Sequence, residues 1–370
     1  MSKENIVIAV YTNKTPNQNF IIDSFAQSLI QGFNNCGVKA YTYDYCKENN
    51  ITFNMAIGFD TTGIEHWQKT LSNGVTNVMW STDSVFKKNI DAIEQFSSFE
   101  KFIVFESTPA DINAINKFIP QLKHGYIPHA VDITENQSID KENDITFIAD
   151  IEDYEEKSEK LKQTYPELVY NLIMQIKDIV LKNPNLTFWQ IAEIINKNYG
   201  IELDKDQYIM LFQNACELVE NEQKAKMIQA LSNFSVKLYG NDLWKKYITG
   251  NIEYCGQCTN FEEYKNILNS SKIVLYTHPL SLGLGISERI LNATDANALC
   301  LCSSTPSIVA EFLDSLVYFN DSTLEDIAQK AEYYLANEDK RKELIEKAKN
   351  IIKEKHTWTN RAQSILDITD

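Results

Sequence analysis

Residues 277–303 read THPLSLGLGISERILNATDANALCLCS, and the order of residue types in this stretch decides the fold class. An apolar, β-branched run from Ile273 to Tyr276 leads into a turn-rich segment carrying Gly283 and Gly285. A helical pattern begins near Ser287, and a second apolar strand follows at 298–302. Strand, glycine loop, helix and strand is the arrangement in which backbone N–H groups and a helix N-terminus hold a phosphate. Glu288 and Arg289 fall in the first helical turn, where the guanidinium can reach a phosphate and the carboxylate a sugar hydroxyl. An ordinary βαβ unit with a glycine turn carries the same pattern, so the rest of the chain has to decide.

Upstream, the alternation continues. Residues 5–11 (NIVIAVY) form a near-continuous apolar strand, as in a parallel sheet covered on both faces. A polar loop at 12–19 leads to an amphipathic helix over 20–35. Further strands are expected at 38–43, 54–58, 77–80 and 101–105, with helices near 63–71 and 110–118. This order predicts a doubly wound parallel sheet over 1–132. Residues 126–132 (YIPHAVD) read as the exit from that domain, and a polar linker covers 133–143. A second α/β domain spans 144–355. Strand signals vanish over about 154–231, which reads as a helical insertion, and return at 235–239, 251–254, 272–276, 299–302 and 316–319. Charged helices and a tail, 356–370, close the chain; the tail is expected to return to the first domain.

The 370 residues, 44% of them hydrophobic, suffice for two cores and exclude a mainly disordered chain. A formal charge of −16 provides no basic stripe for nucleic acid, so no nucleic-acid partner is expected. No apolar run reaches the length of a membrane span, and the polar start MSKEN leads directly into a strand, the pattern of a chain without a secretory signal. Seven scattered cysteines suit reduced thiols, and a cytoplasmic location is expected. Cys255 and Cys258 match C-x-x-C, with Cys300 and Cys302 as a conceivable second pair. Those two alternate in a buried strand, where cysteine acts as a small apolar filler, so no metal site is expected. Asp204-Lys-Asp206 resembles a metal-binding D-x-D but reads better as a charged turn before a helix.

Several stretches, in order along most of the chain, resemble the CgeB-like spore-maturation and protein-glycosylation branch of the GT-B glycosyltransferases. They are 78–83 (VMWSTD), 126–132, 146–150 (TFIAD), 238–244 (LYGNDLW), 253–256 (EYCG) and 262–264 (EEY). After these come the arginine-led helix from Arg289 and 356–362 (HTWTNRA). The resemblance implies two Rossmann-like domains facing a cleft, an acceptor-side first domain and a nucleotide-sugar second domain. It implies transfer of a sugar from a nucleotide-sugar donor to a protein or cell-envelope glycan. The resemblance and the reading of the glycine loop together give the expected donor-side residues: Gly240, Tyr254, Tyr264, His278 (a donor contact or turn structure), Gly283, Gly285, Glu288, Arg289 and Asn292. The family usually has an acidic residue, expected to hold the donor ribose, where Asn292 stands, and a glycine where Asn297 stands. The Glu-x₇-Glu pattern of other GT-B enzymes is missing, because Leu280 lies eight before Glu288. Glu288 and Asn292 share one helix face, so Glu288 is expected to supply the carboxylate with Asn292 as a neutral partner; an altered or lost donor preference is the alternative.

Glycosyl transfer passes through an oxocarbenium-like state while a nucleotide diphosphate leaves. Helix N-terminal amides and Arg289 suit that leaving group, with no metal or other cofactor required. Tyr254 or Tyr264 could stack on a nucleobase. For an inverting mechanism, Asp83 at a strand end and His129 near the domain junction are the expected general bases, with Asp60 behind them; a retaining mechanism need not use one, and the sequence leaves the stereochemistry open. A non-catalytic nucleotide-sugar or scaffold protein, with the insertion binding a partner, is the alternative; assembly as a homo-oligomer fits either reading. A two-domain solute-binding protein is disfavoured by the missing export signal.

Overall fold

A computed structural model describes residues 6–13, 20–134 and 140–369. Parts of the loop expected at 12–19 and of the linker expected at 133–143 lie outside the described residues. The chain divides into two compact units, residues 1–133 with 352–370, and residues 134–351.

The first unit is a parallel sheet of β1 (Val7–Val10), β2 (Lys39–Thr42), β3 (Met55–Phe59), β4 (Thr76–Ser81), β5 (Phe102–Glu106) and β6 (Lys123–Tyr126). Their spatial order is β2-β1-β3-β4-β5-β6. Ile8, Ala9 and Val10 are fully buried, as the unbroken apolar run requires. Helix Phe20–Asn35 buries Ile22, Phe25, Ala26, Leu29 and Phe33, one face at helical spacing. The C-terminal helix Trp358–Thr369 packs on that helix and adds Trp358, Ala362, Ile365 and Leu366 to the same core. Gly32 permits the approach: a Cβ there would lie 2.6 Å from the Trp358 carbonyl oxygen. Strand β6 (KHGY) escapes the sequence reading because an edge strand pairs on one side only and keeps no fully buried residue.

The second unit is a parallel sheet of β7 (Asn143–Ile148), β8 (Val236–Tyr239), β9 (Ile252–Tyr254), β10 (Ser271–Tyr276), β11 (Leu299–Ser303) and β12 (Val317–Phe319). The order is β12-β11-β10-β7-β8-β9. The chain builds outward from β7 through β8 and β9, then returns to the other side of β7 with β10. Ile145 there pairs with Ile273. In open α/β sheets the ligand crevice lies at such a reversal, outside the carboxyl ends of the strands. The loops after β7 and β10 therefore define the place to search.

The sequence reading assigns all of 154–231 to an insertion, and the structure corrects this. Helices Tyr154–Thr164, Glu167–Lys182 and Phe188–Tyr199 are additional to the sheet's connections. The fourth, Lys205–Ala230, sends Ala225, Met227 and Ile228 into the sheet core beside Ile145, Phe147 and Val236. Its last turns are thus the crossover between β7 and β8. Periodic apolar positions run along its whole length, so the sequence does not mark where sheet contact begins. Asp204 caps this helix, accepting from Gln207 N at 2.8 Å, while Gln207 Oε1 accepts from Asp204 N at 3.1 Å. That capping box accounts for the D-x-D pattern.

Candidate functional site

In the second unit, β10 runs into Thr277, His278 and a single 3-10 turn, Leu280–Leu282. Gly283 ends the turn at φ 51°, ψ −104°, a conformation open to glycine and few others. His278 fastens this loop. Its Nε2 lies 2.8 Å from the Gly283 carbonyl and its Nδ1 lies 3.0 Å from the Tyr276 hydroxyl. A carbonyl only accepts, so Nε2 carries the proton and Nδ1 accepts from Tyr276. Burial pushes the imidazole down to about 4, so at neutral pH it is an uncharged fastener. Ser287 caps the next helix, Glu288–Asp295, by accepting from Arg289 N at 3.2 Å. Gly285 N donates to Leu282 O at 2.7 Å and completes the loop's internal bonding.

The helix places its charges as its spacing predicts. Arg289 has a side chain 44% exposed, with Nε 3.8 Å from Glu288 Oε1. Asn292, one turn on, stands beside the phenol of buried Tyr264. Glu288, Arg289, Asn292, Tyr264, His278, Gly283 and Gly285 thus belong to one loop and helix with the tyrosine beneath. Gly240 and Tyr254 stand together at the ends of β8 and β9. The Tyr254 hydroxyl is 2.9 Å from the Gly240 carbonyl and 2.8 Å from Asp242 Oδ1, and Lys245 Nζ lies 4.9 Å from the ring centre. A Cβ at Gly240 would lie 2.2 Å from the Ala149 carbonyl oxygen, so close approach to the β7 end requires glycine.

Several polar residues around these loops are absent from the sequence reading. Asp321, at the end of β12, accepts from Ser303 Oγ and, at 3.2 Å, from Ser304 N; burial lifts its carboxyl to about 6. Glu220 and Asn221 of helix Lys205–Ala230 are buried against the loops after β10 and β7. In sequence they sit in CELVENEQK, which reads as a solvated polar face, and no spacing rule separates them from it. The four cysteines weighed as a metal set are two buried in β11 and two half-buried, and no metal-binding group of three or more His, Cys, Asp or Glu occurs among the described residues.

In the first unit the loop after β4 is held from both sides. Asp60, at φ 51°, accepts from Thr82 N at 2.9 Å, Thr82 Oγ1 at 2.8 Å and Asn89 Nδ2 at 3.0 Å. His129 is buried and its Nε2 donates to the Thr82 carbonyl at 2.9 Å. The His129 carbonyl accepts from the Arg361 guanidinium, Nη2 at 2.9 Å. Asp83 follows Thr82; its carboxylate lies 3.8 Å from Lys87 Nζ and 3.7 Å from Lys88 Nζ, while Ser84 caps the following short helix. The structure therefore brings Asp60, Asp83 and His129 to one loop at the carboxyl end of β4. Nearby in sequence, Glu106 ends β5 with Oε1 2.7 Å from His124 Nδ1 and Oε2 buried without a hydrogen bond. Asp111 accepts from Val85 N at 2.9 Å, and burial lifts it to about 7.

Solved structures share this fold. Sucrose-phosphate synthase from Thermosynechococcus elongatus is 8% identical, with 98% of each chain covered and a TM-score of 0.58. An alpha-glucosyltransferase in complex with UDP and a 13-mer DNA containing a HMU base is 11% identical, covering 98% of this chain and 99% of that one, at 0.54. TarM is 13% identical at 0.47, and the chain spans about half of it, 85% of this chain against 54% of that one. No curated protein matches the sequence. The first two likenesses show a GT-B fold, two parallel-sheet Rossmann-like units, as the sequence predicts. Within the chain, residues 222–367 match the family model described as glycosyl transferase-like.

Proposed function

We propose that the protein is a glycosyltransferase that moves a sugar from a nucleotide-sugar donor to a protein or cell-envelope glycan. The carrying observation is the loop and helix at 277–295: a fastened glycine loop, a capped helix N-terminus and a half-exposed Arg289. The leaving diphosphate belongs at that N-terminus, where amides and guanidinium offset its charge without a metal. Glu288 or Asn292 then faces the ribose. The family match over 222–367 covers this segment, and UDP in the complex of the alpha-glucosyltransferase supports the choice of donor class. Asp83, beside the Asp60 clamp, is the general base we assign, and the link of His129 Nε2 to Thr82 gives that histidine a positioning part. The CgeB-like acceptor class rests on the ordered sequence resemblance.

The second reading, a binding protein without turnover, is favoured by Leu280 and Asn292 standing where related enzymes carry acids. The experiment is a thermal-shift screen of UDP, GDP, ADP and dTDP and their sugar conjugates, followed by a turnover assay on any hit. Binding with sugar release or transfer supports the enzyme. Binding without turnover supports the second reading, and no binding overturns both.

A further inference from the structure

Glu220 and Asn221 are adjacent residues of helix Lys205–Ala230, yet they serve different loops. Glu220 Oε1 accepts from Ser281 N at 3.0 Å, in the 3-10 turn that begins the glycine loop after β10. Asn221 Oδ1 accepts from Glu152 N at 3.1 Å, in the loop after β7. One turn on, Lys224 Nζ reaches the Asp150 carbonyl at 3.0 Å and Asn221 Oδ1 at 3.3 Å. Glu220, Asn221 and Ser281 are all at most 9% exposed, and the Glu220–Ser281 bond is buried, shielded from water. The two loops so held are those at the β7/β10 reversal. The helix's own far end is anchored in the sheet core through Met227 and Ile228. On the side of the additional helices, Gln223 and the turn Pro184 to Thr187 line the same recess as Pro279, Leu280 and Gly283.

We propose that Glu220 and Asn221 are positioning residues for the donor: one rigid helix fixes both walls of the crevice before the nucleotide arrives. This rests on the donor reading above and adds to it an origin for the loop's preorganisation. A backbone N–H of a solvent loop would exchange its partner for water on each fluctuation; a buried carboxylate on a core-anchored helix keeps Ser281, and with it Gly283, in one arrangement. In its alternative, the sequence reading gave these helices to a partner. The contacts tie their last member to the donor loop instead.

The test uses the full-length protein and the nucleoside diphosphate it binds best among UDP, GDP, ADP and dTDP. Glu220→Gln keeps an oxygen for Ser281 N, whereas Glu220→Ala and Asn221→Ala remove the acceptor. Calorimetry on folded protein should show Kd raised roughly tenfold or more for Glu220→Ala and severalfold for Asn221→Ala, with Glu220→Gln restoring most of the affinity. Hydrogen exchange of ligand-free protein should speed at the peptide containing Ser281 in Glu220→Ala and at that containing Glu152 in Asn221→Ala. If Glu220→Ala proves unfolded, Glu220→Gln and Asn221→Ala carry the comparison, and faster exchange with weaker binding in Asn221→Ala alone sustains the assignment. Unchanged Kd in folded Glu220→Ala or Asn221→Ala, with binding by the unmodified chain, overturns the assignment alone. No binding by the unmodified chain overturns the donor reading and the assignment together.

Discussion

Lys349 donates to Asn297 Oδ1 at 2.6 Å, and Asn297 stands in the left-handed region at φ 57°. It follows the Ala296 cap of helix Glu288–Asp295, where Asn297 N bonds Thr294 O at 3.1 Å and Ala298 N bonds Ala293 O at 2.9 Å. That is the Schellman arrangement, which takes glycine most often and asparagine next. Asparagine in place of the glycine usual in the family it resembles therefore preserves the backbone geometry. Asn297→Gly and Asn297→Ala both lose the lysine's acceptor, but only alanine meets the left-handed cost. Asn297→Ala should be the less stable of the two by about 1–2 kcal/mol in urea unfolding. Equal stabilities would mean the φ value is not constraining.

Arg289 and Asn292 offer a more direct reading of the donor site. Arg289→Ala should weaken nucleotide binding roughly tenfold or more, since a charged hydrogen bond contributes about 1.5–3 kcal/mol. Tyr264→Phe removes the hydroxyl beside Asn292 and so alters the polar surroundings of the amide proposed to face the ribose. A loss of about threefold to tenfold is expected there, smaller than for Arg289→Ala. Glu288→Gln combined with Asn292→Ala should exceed the sum of the single effects, because both serve one ligand group. Calorimetry on all variants checks the ranking; an unaffected Arg289→Ala would remove this helix from the donor site.

The loop and helix at 277–295 were legible because glycine, cap and charge follow one another within a single turn of sequence. Both doubly wound sheets were legible for a similar reason, since continuous apolar strands such as VIAV and LCLCS admit few other placements. Strand β6 was not, because KHGY carries no apolar pattern and gains its place from one neighbour. Glu220 was not, because a buried carboxylate and a solvated one look alike in a helix until the loop it faces is known. Asp60 shows the same limit: its three accepted bonds come from residues 22 and 29 positions away.

Gly32 makes a prediction about the tail. Its missing side chain lets helix Phe20–Asn35 meet the start of helix Trp358–Thr369, with 2.6 Å from a built Cβ to the Trp358 carbonyl oxygen. The obstacle is backbone, which cannot rotate away. Gly32→Ala should therefore cost about 1–3 kcal/mol, despite alanine's better helix propensity. Limited proteolysis should cut near residue 357 faster in the variant. A variant as stable and as resistant as the parent would show that the two helices separate without cost.

Asp111 gives the first unit a pH signature whose sign is fixed. Burial, then the neighbouring Glu106, lifts its folded value from 3.8 to about 7. The folded chain therefore holds a proton that the unfolded chain releases between those two values. Stability from this group is present below pH 3.8 and is lost as pH rises through about 7. Glu106, raised by burial, and His124, raised by its bond to Glu106, act in the same direction. Asp111→Asn keeps an oxygen for Val85 N and removes the charge. At pH 4 the variant should match the parent, and by pH 8 it should be more stable by about 2–4 kcal/mol. Urea melts at the two pH values, followed by a tryptophan of the first unit, measure the gap. A gap that stays constant with pH would mean that Asp111 is ionised in the folded chain throughout.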